Sequence, residues 1–209
     1  MKVNAFIASR LEELDAYKKQ FENVFYFLEE DELFFIPRDE KWSAIECIEH
    51  INNLNEVYLP QLTEVCKKKN ASQKELIELS WWQKRLRNMM SPLDHPKSKK
   101  IRTRTKLQPR RIQNSDHKIS AQKVMENFIS DLSQLEKIIR IIPESPELRN
   151  TRVMSAAPPI KFKSITALEM LIPHIGRHLS QAERILSGGN VEKQAKLKNE
   201  DLIFPGRDS

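Results

Sequence analysis

The sequence predicts an all-α protein, a four-helix bundle whose long link between its second and third helices leaves room for a crossover. Three observations predict it: four stretches repeat apolar residues at helical spacing, no stretch alternates strictly as a half-buried strand does, and the chain has only four glycines. With 209 residues the expectation is one domain with a full core.

The first helix is expected from about Val3 to Leu28, where Phe6, Ile7, Leu11, Leu14, Tyr17, Phe21, Val24, Phe25 and Leu28 fall on one stripe. A linker with Pro37 and Trp42 leads to Ser43, and Ser43-x-x-Glu46 has the form of a capping box. The second helix follows through Ile48, Ile51, Leu54, Tyr58 and Leu62 to about Val65, with Pro60 expected to kink or break it. Ser72-x-x-Glu75 is expected to cap a short helix carrying Leu76, Leu79, Trp82 and Leu86. Pro92, Pro96, Pro109 and a run of basic residues then predict an extended loop.

The third long helix starts near Ser120, carries Val124, Met125, Phe128, Leu132, Leu135, Ile138 and Ile139, and stops at Pro143. A loop containing Pro143, Pro146, Pro158 and Pro159 crosses to the fourth helix, expected from about Ser164 to Ser187 and ended by Gly188 and Gly189. The organisation is therefore a bundle over residues 1–187, including a basic loop at about 92–117, and a polar tail over 188–209.

Composition narrows the function classes. No apolar run approaches the roughly 18 residues that span a bilayer, and acidic residues interrupt the N-terminal stretch before a signal sequence could build up, which predicts a cytoplasmic protein. Cys47 and Cys66 share one predicted helix about 28 Å apart, so they cannot pair with each other. Of the net charge of +6, residues 97 to 118 carry +8: Lys97, Lys99, Lys100, Arg102, Arg104, Lys106, Arg110, Arg111 and Lys118 stand against Asp116 alone. The rest of the chain is slightly acidic. The basic segment has no aromatic residue to stack on bases, so nucleic acid is disfavoured as a partner.

The chemistry-bearing pattern is histidine. His174 and His178 are one helical turn apart, a spacing at which two imidazoles can grip one metal ion. On a helical wheel they lie roughly 100° and 60° from Ile175, on one shoulder of the apolar stripe. His50 takes a matching shoulder of the second helix, roughly 100° from Ile51. Three histidines from two helices would leave coordination positions open, as catalytic metals require. Pro173 and Gly176 break helix rules beside the pair, which predicts either a kink or a functional site. His95 and His117 read as solvated loop residues, Gln181 as part of a solvated face before a support for the metal ligands, Glu46 as a cap and Cys47 as core packing before a soft ligand. Trp81, Trp82, Met89 and Met90 read first as packing under the loop, or else as a pocket or homodimer surface.

Two segments resemble a known family. Lys41-Trp42-Ser43-Ala44-Ile45-Glu46-Cys47-Ile48-Glu49-His50-Ile51, following Pro37, resembles the "WS…HL" signature of the DinB-like superfamily. The stretch from His174 to Ile185, HIGRHLSQAERI, resembles its fourth-helix "HxxRHLxQxxRI" motif, from which Pro173 departs. The resemblance implies a DinB/YfiT-like bundle with a crossover and a divalent ion (zinc, nickel, manganese or iron) on His50, His174 and His178. It also implies a small-molecule substrate, since relatives include S-transferases and isomerases that use a low-molecular-weight thiol cosubstrate, and metal-dependent hydrolases. The leading expectation is thus a metal-dependent transferase or hydrolase with unassigned catalytic residues. The competing one is a non-enzymatic bundle whose basic loop holds an anionic partner.

Overall fold

Amphipathic stripes become the helices they predict in the computed structural model, which describes residues 1–38, 40–67, 76–92, 103–113 and 120–203, with side chains omitted at 112, 113 and beyond 188. The elements in order are α1 (Val3–Phe25), α2 (Glu30–Phe34), α3 (Ala44–Cys66), α4 (Trp81–Met90), a 3-10 turn (Thr105–Leu107), α5 (Arg110–Gln113), α6 (Ala121–Arg140), α7 (Glu147–Asn150), β1 (Arg152–Met154), β2 (Lys161–Lys163) and α8 (Ser164–Ile203).

The four long helices α1, α3, α6 and α8 form the bundle, with α3 and α1 each packed against both α6 and α8. Contacts along the helices fix their directions. Asn52 reaches the Val124 carbonyl, Asn55 reaches Asp131, and Gln134 reaches Thr63, so α3 and α6 run parallel. Parallel neighbours in a bundle need a connection that returns along its length, and the long link between α3 and α6 is that crossover. Arg10 pairs with Glu169 and Tyr17 abuts Gly176, so α1 and α8 also run parallel. Phe21 joins α1 to α6 by packing on Phe25 and Phe128, with ring centroids 4.9 and 4.6 Å apart. Fully burying one such ring contributes about 2–3 kcal/mol.

Several boundaries differ from expectation for identifiable reasons. α1 ends at Phe25 rather than Leu28; Tyr26 and Phe27 are 62% and 88% exposed, while Leu28 still packs against the core from outside the helix. Pro60 does not break α3: both Pro60 and Glu56, whose carbonyl loses its donor, face solvent, where water can satisfy that carbonyl. Ser72 and Glu75 lie outside the described residues. The cap of α4 is instead Ser80, whose hydroxyl accepts from the Gln83 amide while the Gln83 side chain accepts from the Ser80 amide. Leu76 belongs to no helix but bridges to Lys2, and Met1 and Ile77 exchange two further hydrogen bonds.

The proline-rich link before the fourth helix holds α7 and an antiparallel hairpin, with Arg152 opposite Lys163, Val153 opposite Phe162 and Met154 opposite Lys161. Three-residue strands are too short for alternation to show in a sequence. α8 does not end at Gly188 but continues to Ile203: none of the described glycines has positive φ, so no left-handed cap forms there. The stretch from Glu192 to Lys198, EKQAKLK, consists of good helix formers.

Candidate metal centre

His50 sits in the second turn of α3, whose start is set by the Ser43–Glu46 capping box: Ser43 Oγ accepts from the Glu46 amide, and Glu46 Oε2 accepts from the Ser43 amide. His174 and His178 come from the middle of α8, which stays helical through Pro173. Gly176, between them, is required by close approach. A Cβ there would stand 2.5 Å from the ring and hydroxyl atoms of Tyr17, so only glycine lets α1 lie against this turn. A buried ionic cluster holds α8 about two turns earlier, at Glu169. Arg10 donates to both oxygens of Glu169, at 2.5 and 3.0 Å, and Arg87 of α4 pairs with Glu13.

The three imidazoles meet. Ring centroids are 5.2 Å apart for His50 and His174, and 4.5 Å for each of the other two pairs. One ligating nitrogen from each lies within 4.8 Å of the others. His50 and His178 are 2% and 6% exposed, while His174 keeps a partly exposed edge that opens the cluster to solvent. Trp42 lies over the cluster, 5.1 Å from the His50 ring and 6.0 Å from that of His178.

Burial sets the protonation state. It pushes the His50 pKa down to about 4, only partly opposed by a backbone hydrogen bond to Leu107. Burial likewise holds His174 and His178 well below the ordinary imidazole range, reinforced by the neighbouring rings and by Arg177, whose Nη1 donates to the Met89 carbonyl. All three rings are therefore neutral at physiological pH, and neutral imidazole is the form that binds metals.

The basic loop supplies an unforeseen part of the site. Leu107 brings its carbonyl oxygen 2.5 Å from His50 Nδ1. A carbonyl only accepts, so Nδ1 carries the proton and the lone pair of His50 is on Nε2, which stands 3.1 Å from His174 Nε2. This strap is fastened to α3: Asn53 donates to the Gln108 carbonyl, the Arg110 amide donates to Glu49, and the Arg110 guanidinium reaches Glu49 and Glu56. Arg111 donates to both oxygens of Glu46.

The donor set fits a divalent ion. A tetrahedral ion bound at about 2.0–2.1 Å separates adjacent nitrogens by roughly 3.3 Å, close to the 3.1 Å found between the two Nε2 atoms. His178 Nδ1 is buried without a hydrogen-bond partner, a polarity that an apolar core would leave uncompensated. The same two motifs anchor the helices that build the cluster, and a family model described as the DinB superfamily matches residues 13–182. The chain belongs to the DinB superfamily. No curated protein and no solved structure matches it.

Within this DinB-superfamily bundle the residues singled out in the sequence divide clearly. His50, His174 and His178 are brought together, while His95 and His117 lie outside the described residues. Gln181 is half-buried rather than on an open face, and its side chain partly offsets the downward push on the His178 ring. Glu46 caps α3 as expected and also takes Arg111. Cys47 is fully buried, and burial raises its thiol well above the usual range, which fits packing. Trp81 and Trp82 do not form a covered core, being 74% and 45% exposed. The Leu107 carbonyl had no sequence signal, because every residue carries one. The Arg110-Arg111 pair did have one, in the acidic Glu46, Glu49 and Glu56 of α3.

Proposed function

We propose that this DinB-superfamily member is a metal-dependent enzyme acting on a small substrate, with His50, His174 and His178 each giving one ring nitrogen to a divalent ion. The supporting observation is the convergence of three neutral imidazoles, one of them with its lone pair aimed by the Leu107 carbonyl. When bound, an ion with three neutral ligands keeps its full double charge, which stabilises an anionic nucleophile, the thiolate of a low-molecular-weight thiol or hydroxide, at neutral pH.

The chain's own residues supply the setting. The strap orients His50, Trp42 excludes water from the faces of His50 and His178, and the exposed edge of His174 leaves substrate its approach. Zinc, nickel, manganese and iron all accept imidazole, so metal identity belongs to the experiment.

Elemental analysis of the purified protein tests this reading. About one ion per chain is expected, and close to none in a His174→Ala/His178→Ala variant. Equal, near-zero metal in both ends the proposal. A panel of electrophiles with added thiol, run beside esters and amides without it, then separates transferase from hydrolase.

A nucleic-acid role for the basic loop has less support. Arg110 and Arg111 engage Glu46, Glu49 and Glu56 within the chain, while Lys97, Lys99, Lys100, Arg102 and Lys118 lie outside the described residues.

A further inference from the structure

A second cleft lies between the β1–β2 hairpin and the start of α4, about 15 Å along α8 from His174. Its volume is about 460 Å³, within the range of small-molecule sites. Arg152, Lys161 and Lys163 line it, and Arg152 stands directly opposite Lys163 in the hairpin register. Like charges opposed across a strand pair are destabilising.

Elsewhere in the fold, Arg10, Arg87, Arg110, Arg111, Arg140 and Arg184 are each paired with a carboxylate. Among the described residues, no ion pair joins Arg152, Lys161 or Lys163 to an acid. Glu78 is the one acidic residue on the lining, so the cleft presents a net charge of +2. Trp82 and Phe162 also line it, with ring centroids 6.3 Å apart and planes tilted by 41°. Trp82 stays 45% exposed although it is large and apolar. Opposed cations and an uncovered indole both cost the free protein stability, and one ligand chemistry relieves both.

We infer that this cleft binds a small anion carrying an aromatic ring, of the aryl phosphate type. Charge-assisted hydrogen bonds from Arg152, Lys161 and Lys163 would hold the anion, while the ring covers Trp82 and Phe162. This site is separate from the histidine cluster and does not depend on a metal there.

The test is isothermal calorimetry with phenyl phosphate and with inorganic phosphate. It uses both the chelated wild-type chain and the His174→Ala/His178→Ala variant, so that the histidine cluster cannot be the binder. Phenyl phosphate is expected to bind saturably in both, with Kd on the order of 1 mM or tighter, and inorganic phosphate more weakly. Arg152→Gln/Lys163→Gln is expected to weaken phenyl phosphate by about tenfold or more. Trp82→Ala is expected to remove the preference for phenyl phosphate over inorganic phosphate. All of these side chains are exposed, so the variants keep the fold, which the melting curve checks. No saturable binding, binding unchanged by Arg152→Gln/Lys163→Gln, or equal affinity for the two phosphates would overturn the inference.

Discussion

Arg111 donates to both carboxylate oxygens of Glu46, at 2.5 and 3.0 Å, while Glu46 also closes the capping box at the start of α3. One carboxylate thus fixes the helix that presents His50 and anchors the strap whose Leu107 carbonyl orients it.

Arg111→Gln leaves the buried Glu46 carboxylate without its counter-ion and loosens the strap. Because the Arg111 side chain is 44% exposed, the stability loss is modest, about 1–2 kcal/mol. The larger expected effect is on metal affinity, about tenfold or more, since His50 loses its orienting carbonyl. Urea unfolding and a metal titration measure the two; loss of stability with unchanged affinity would show that the strap does not position His50.

Gly176→Ala sets helix propensity against packing. Alanine favours the helix by about 1 kcal/mol, but its Cβ would sit 2.5 Å from Tyr17, whose hydroxyl is tied to Glu13 at 3.0 Å. Overpacking of this kind costs about 1–3 kcal/mol, so net destabilisation is expected. Pairing it with Tyr17→Leu should recover most of the loss in thermal denaturation. A more stable Gly176→Ala single variant would show that α1 yields easily.

What could be read in the sequence follows from periodicity and spacing. The α3 and α8 stripes, the Ser43–Glu46 cap and the shoulder positions of His50, His174 and His178 are local properties, and the structure joins those three histidines. The strap and the Tyr17–Gly176 contact depend on residues far apart in the chain, with separations of 57 for His50 and Leu107 and 65 for Glu46 and Arg111, while the hairpin is local but its strands are too short to show a pattern. A charge run suggests solvent by itself, and only the acidic face of α3 turns its end into a fastening. Gly188 shows the opposite limit: glycine permits a helix stop but does not impose one.

Without metal, the protein should lose stability as pH falls from about 6.5 to 4. In that window the unfolded chain takes up protons on histidines that the folded chain keeps neutral, so the unfolded state binds more protons and stability rises with pH. His50, pushed from 6.5 to about 4, accounts for a loss on the order of 3 kcal/mol, and His174 and His178 act in the same direction. Asp131 opposes them. Burial raises its carboxyl to about 6 despite the Asn55 hydrogen bond, so its contribution is present at low pH and fades as pH rises through 6. Three histidines outweigh one carboxyl, and urea midpoints of chelated protein should be lower at pH 5 than at pH 7, with Asp131→Asn steepening the dependence. Equal midpoints would mean that the histidines are not buried.

Metal addition turns the same neutrality into a distinct outcome. Ligand that binds only the folded state at a hundred times its Kd stabilises by about 2.7 kcal/mol, which for a chain of this size raises Tm by about 5–10 °C. Zinc added to chelated protein should produce that rise in the wild type and little of it in His178→Ala. Three ordinary surface histidines would lose affinity steeply as pH falls through 6.5, because protons compete for each nitrogen. Here burial has already displaced the protons, and the His50 ring stays neutral down to about pH 4. Zinc affinity should therefore change little between pH 7 and about 5.5. A steep fall over that range would place the binding on exposed histidines instead of this cluster.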